Sequence, residues 1–169
     1  MITSGVVAIT TTGWNARWTA RLARETRLAE SYLEVLRIVE REGQWVEASI
    51  TNWTLGVEEA EAFPDPGDRG LATGFKRVRV PEPAVTDRAT IAAHLAAFGS
   101  PNVCRLYKAW RFIVKEIDKE EDVVQSICDY NSPDPPGLGV LKNLKVLQPK
   151  ESAARQALAD AIAGELGHL

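Results

Sequence analysis

A proline-free stretch from Trp14 to Ala62 constrains this chain more than any other feature, because its apolar residues return at steps of three and four. The row runs from Trp18 through Leu22, Tyr32, Val39, Val46 and Trp53 to Ala60, interrupted only by Glu25 and Gly43. A repeat averaging 3.5 residues keeps one seam turned toward a partner, so the stretch reads as one long helix in coiled-coil-like packing. At 1.5 Å per residue it would reach roughly 70 Å, well beyond the span of a compact domain of this size. Gly43 on the seam either admits a close neighbour or kinks the helix. The charges at Glu30, Glu34, Arg37, Glu40, Arg41 and Glu42 read as a solvated outer face.

The remaining elements follow from stops and restarts. Phe63-Pro64-Asp65-Pro66-Gly67 must end the first helix. A Pro- and Gly-rich connection follows at 64–86, in which 75–80 (FKRVRV) alternates enough for a short strand. Thr86 or Asp87 can cap a short helix at 87–98, stopped by Gly99. Ser100 and Pro101 then open a second long helix at 101–129, with its own row at Val103, Leu106, Trp110, Ile113, Ile117 and Val124. A second long loop is expected at 131–149, and Ala154, Leu158, Ile162 and Leu166 mark a terminal helix at 151–166. The expected fold is therefore all-α, an elongated antiparallel bundle in a single domain at 14–169. In it the third helix runs antiparallel to the first, with a short apolar segment at 1–13 ahead of the bundle.

Composition narrows the function classes. With 45% apolar and 25% charged residues the chain belongs with ordinary globular proteins. A net charge of −3 supplies no field for a polyanion, so nucleic-acid binding is not expected. Cys104 and Cys128, on one straight helix, would stand about 36 Å apart, far beyond disulfide reach. Residues 2–12 are uncharged and β-branched but too few to span a bilayer, which takes about 20 apolar residues. Just beyond them Trp14 and Trp18 are mixed with Arg17, Arg21, Arg24 and Arg27 against one acid, Glu25. Tryptophans followed by arginines mark the cytoplasmic edge of a membrane anchor. Basic residues there gain about 1 kcal/mol each from anionic headgroups. An ordinary amphipathic helix start accounts for the same residues.

Catalytic motifs are sparse. The two histidines, His94 and His168, have no metal-ligand spacing, and neither a glycine-rich phosphate loop nor a Gly-x-Ser-x-Gly elbow is present. No metal or cofactor is expected. Arg88 and His94, six residues apart, loosely resemble the arginine–histidine motif of HEPN-type helical ribonucleases, where such a pair holds a phosphate and moves a ribose proton. Against it stands the six-residue step, which turns the two side chains well apart around a helix.

A further resemblance rests on Ala97-Phe98-Gly99-Ser100-Pro101-Asn102-Val103, the following Leu106-Tyr107 and Ala109-Trp110, and the closing Gly164-Glu165-Leu166-Gly167. With the long first helix, these resemble a loose group of uncharacterised bacterial proteins in which a membrane span leads into a cytoplasmic helical hairpin. The resemblance implies a cytoplasmic protein at or anchored to the inner membrane. It carries over no catalytic residue. Three functional readings follow. One is a non-enzymatic interaction module that meets a protein partner, or itself, through Trp18, Tyr32, Val46 and Trp53, at an anionic membrane surface contacted by Trp14, Arg17, Arg21 and Arg24. Another is a ribonuclease using Arg88 and His94. The third is a module for a small apolar ligand between helices, lined by Trp110 and Tyr107.

Overall fold

In a computed structural model the chain is all-α. The structure describes residues 4–62, 80–81, 83–129 and 138–168, with side chains at 14–55, 58, 62, 80, 81, 83–120 and 140–168. Four helices make up most of the described residues: α1 (Ser4–Ala62), α2 (Val85–Phe98), α3 (Pro101–Asp129) and α4 (Leu138–Leu166). The strand expected at 75–80, except its last residue, and the connections at 64–79 and 131–137 lie outside them.

Helix α1 is continuous for 59 residues, about 88 Å, and passes through Gly43 without a break. The glycine instead makes room for a neighbour. A Cβ there would collide with the Arg155 side chain of α4, which lies across the helix at that point.

The direction of each helix can be read from the side chains that meet. Tyr32 meets Glu165 while Glu40 meets Arg155, so α1 and α4 run antiparallel. Trp110 meets Glu151 while Glu120 meets Asn143, so α3 and α4 are antiparallel too. Tyr32 meets Ser100 while Glu42 meets Arg111, which makes α1 and α3 parallel. The expectation that α3 covers α1 antiparallel is thus corrected. The chain goes up, down, up and down, and the antiparallel neighbours of α1 are α2 and α4.

Three helix starts also differ from expectation. Helix α1 opens at Ser4, so it takes in most of the segment at 1–13 expected to lie ahead of the bundle. Helix α2 opens at Val85, so Asp87 lies within its first turn, where its carboxylate accepts from the Ala84 N–H at 3.3 Å and from Arg41 at 2.6 Å. Helix α4 begins at Leu138 and carries Pro149 in its interior. Leu141 and Leu144 are buried, and Leu144 belongs to the main core. Their burial, about 1.5–3 kcal/mol per fully buried leucine, offsets the backbone bond that proline cannot make. Helix α3 starts where its spacing predicts, with the Val103 N–H donating to the Ser100 Oγ at 3.2 Å.

One core joins all four helices. Tyr32, Val35, Val39 and Val46 of α1 pack with Ile91 and Leu95 of α2, Val103, Trp110 and Ile117 of α3, and Leu144, Leu158 and Ile162 of α4. The seam of α1 is therefore filled by the chain's own helices over the length of the bundle.

Candidate functional site

Three polar clusters tie the helices together. At one end of the bundle Tyr32 Oη donates to Glu165 Oε2 at 2.6 Å and accepts from the Ser100 N–H at 3.1 Å. Ser100 Oγ donates to the other Glu165 oxygen at 2.5 Å. The serine that caps α3 thus also holds the last turn of α4 against α1, and burial raises the Tyr32 phenol above its ordinary range.

Near mid-bundle the fully buried Glu42 of α1 receives Arg88 of α2 at 2.9 Å and Arg111 of α3 at 2.5 Å. Arg88 also lies 3.8 Å from Asp118. The solvated role expected for Glu42 is corrected: two guanidinium groups neutralise its charge in the interior, which is what a buried carboxylate requires.

The third cluster surrounds Glu151, also fully buried, whose Oε1 accepts from Trp110 Nε1 at 2.7 Å and lies 3.3 Å from Arg155 Nε. Arg155 reaches on to Glu40 at 2.8 Å and to Glu47. Desolvation raises the Glu151 carboxyl above its usual range, partly countered by the Trp110 N–H and by Arg155.

Spacing carried a signal for both buried carboxylates. Glu42 lies seven residues after Val35 and four before Val46, and Glu151 lies seven from Leu144 and from Leu158. Glu151 thus continues the spacing of Leu144 and Leu158, whereas Glu42 stands beside Gly43 and off the row of the first helix, where a charged residue is ordinarily read as solvated.

The residues singled out from sequence divide clearly. Tyr32 and Val46 are buried in the core and Trp53 packs against it. Trp110 is fully buried, with its N–H on Glu151, and so lines no open site, whereas Tyr107 lines a groove between α2 and α3. Arg88 is engaged by Glu42, and His94 is half-buried about 120° further round α2. Among the described residues no group of three or more His, Cys, Asp or Glu is placed to hold a metal ion.

Trp14, Trp18, Arg17, Arg21 and Arg24 remain outside the bundle. Every residue from 14 to 24 is exposed, Trp14 at 69% and Trp18 at 52%, so over these residues, about 16 Å of its length, α1 stands clear of its neighbours as a bare arm. The two indole rings stack, with centroids 6.0 Å apart and planes at 14°. At 100° per residue Trp14, Trp18 and Leu22 fall in the arc of about 80° that, lower down, Tyr32, Gly43 and Glu40 present to α4. Arg17, Arg21 and Arg24 fall in the arc of about 60° that Val35, Val39 and Glu42 present to the rest of the bundle. Arg21 is paired with Glu25 at 2.7 Å. The arm thus carries the inward arcs of α1 past the end of the bundle, with arginine and tryptophan in place of aliphatic residues.

No family model, curated protein or solved structure matches the chain. Among the described residues no helix is long and apolar enough to cross a membrane.

Proposed function

We propose that the protein is a non-catalytic helical interaction module whose arm docks at an anionic membrane surface. The observation that carries this reading is the exposed stretch 14–24, where stacked Trp14 and Trp18 and the uncovered Leu22 stand beside Arg17, Arg21 and Arg24. Four arginines against one glutamate make 14–27 basic in a chain of net charge −3, so the charge that attracts anionic headgroups is concentrated on the arm. Tryptophan is favoured at the headgroup level because its ring is apolar and its N–H polar.

The geometry also favours one orientation. Packed helices stand about 8–10 Å apart, so a flat surface lying along the tryptophan arc would meet α4 first. Contact is therefore made by the projecting part of α1, whose helix continues back to Ser4, with the bundle held away from the surface. Of the seam residues named for a protein partner, Trp18 alone is open, which favours the arm over the bundle as the docking element.

Flotation with phosphatidylcholine vesicles, with and without phosphatidylserine, tests the reading. Binding is expected only to the anionic vesicles, weakened by salt and abolished in a Trp14→Ser/Trp18→Ser variant. Sedimentation of the free protein as a salt-independent monomer that also leaves anionic vesicles alone would sink the proposal. Self-association lost in the same variant would assign the arm to a second copy instead.

A further inference from the structure

The flank of α2 against α3 holds a groove of about 320 Å³ lined by Ala92, Leu95, Ala96, Cys104, Tyr107 and Lys108. It exists because small residues occur where two helices would otherwise interdigitate: Ala92 and Ala96 lie one turn apart on α2, and Cys104 faces them from α3. Its volume is at the lower end of the range for small-molecule sites, roughly 300–1,000 Å³. Leu95 supplies an apolar, buried floor, and the Cys104 thiol is turned onto the Leu95 carbonyl at 3.8 Å.

The polar groups of the groove are both donors. Lys108 has no carboxylate within ion-pairing distance among the described residues, whereas Arg88 and Arg111 of the same two helices are both paired with Glu42. Tyr107 is half-buried and, like any phenol, carries its proton at neutral pH; burial raises it further, with Arg111, Glu42 and Arg88 as its charged neighbours. An apolar trough whose polar groups are one unpaired ammonium and one phenolic O–H is complementary to a molecule with an apolar body and a single anionic end.

We infer that the α2–α3 groove is a binding site for a small amphipathic carboxylate, its chain lying over Leu95 between Ala92, Ala96 and Cys104 and its carboxylate on Lys108 and Tyr107. The site shares no residue with the arm and stands or falls separately from the membrane reading.

Titration calorimetry with decanoate below its micellar concentration, and with decan-1-ol as the neutral comparator, tests this. One saturable site is expected for decanoate, with weaker binding of the alcohol. Lys108→Gln should weaken decanoate by about tenfold or more, the usual value of a charge-assisted hydrogen bond. Ala96→Leu, a change at an exposed position, should fill the groove and abolish binding while leaving the melting temperature near that of the parent. The Trp14→Ser/Trp18→Ser variant should bind decanoate as the parent does, which separates the groove from adsorption by the arm. Non-saturable uptake, equal affinity for the alcohol, or unchanged binding by the Ala96→Leu variant would each overturn the assignment.

Discussion

Glu151 lies where the spacing of Leu144 and Leu158 favours an apolar side chain, and its surroundings show why a carboxylate is tolerated. The Trp110 N–H needs an acceptor inside the core, and Arg155, spread over Gly43, supplies the opposing charge. Desolvation still prevails, so the folded pKa of Glu151 lies above its unfolded value. The sign follows directly: the folded chain holds this proton more tightly, so the stabilisation is complete below the ordinary carboxylate range and is lost as pH climbs through the raised value. Glu151→Gln retains an acceptor for Trp110 and cannot ionise. Urea midpoints across the pH range should show the variant gaining on the parent as pH rises from the carboxylate range, then levelling off. A gap that narrows with rising pH would contradict the assigned shift.

At the scale of elements, α4 shows the limit of reading boundaries from breakers. Pro149 and the three-residue leucine spacing before it suggest a loop, yet the helix runs through because Leu141 and Leu144 are buried. The Lys145 carbonyl is left without its usual intrahelical donor, and the ring crowds the preceding turn. An interior proline costs about 3 kcal/mol relative to alanine. Proline also restricts the unfolded chain, which returns up to about 1 kcal/mol. Pro149→Ala, at an exposed position, should therefore stabilise the protein by about 1–2 kcal/mol, read as a higher urea midpoint at unchanged slope. The arm is the opposite case. A free helix shorter than about 12–15 residues is marginal in water, so residues 14–24 remain helical because they continue a docked helix.

Across the whole molecule, Glu42 is where α1, α2 and α3 are joined by charge. The two arginines are not equivalent: Arg111 is 13% exposed and also lies over the Trp110 ring at 5.8 Å, whereas Arg88 is 42% exposed and screened by water. Losing the shielded partner of a buried carboxylate costs about 3 kcal/mol or more. Losing a solvent-screened one costs about 1 kcal/mol or less. Arg111→Met should therefore lower the unfolding free energy by about 3 kcal/mol and Arg88→Met by about 1 kcal/mol, compared by urea denaturation. Equal losses would show that the two arginines share the charge of Glu42 evenly.

The sequence by itself determined the all-α class, the long first helix and the start of α3 at Ser100-Pro101, because periodicity and capping are local properties of the chain. It also marked the arm, since tryptophans among arginines stand out without any fold. Tertiary structure decided the rest. It set α3 parallel to α1, carried α4 through Pro149, and gave Gly43 to the side chain of Arg155. Above all it chose which carboxylates go inside. Whether Glu42 can be buried depends on cations 46 and 69 residues away in the chain. No window of sequence around Glu42 contains them; only the packing of three helices brings their charge to it.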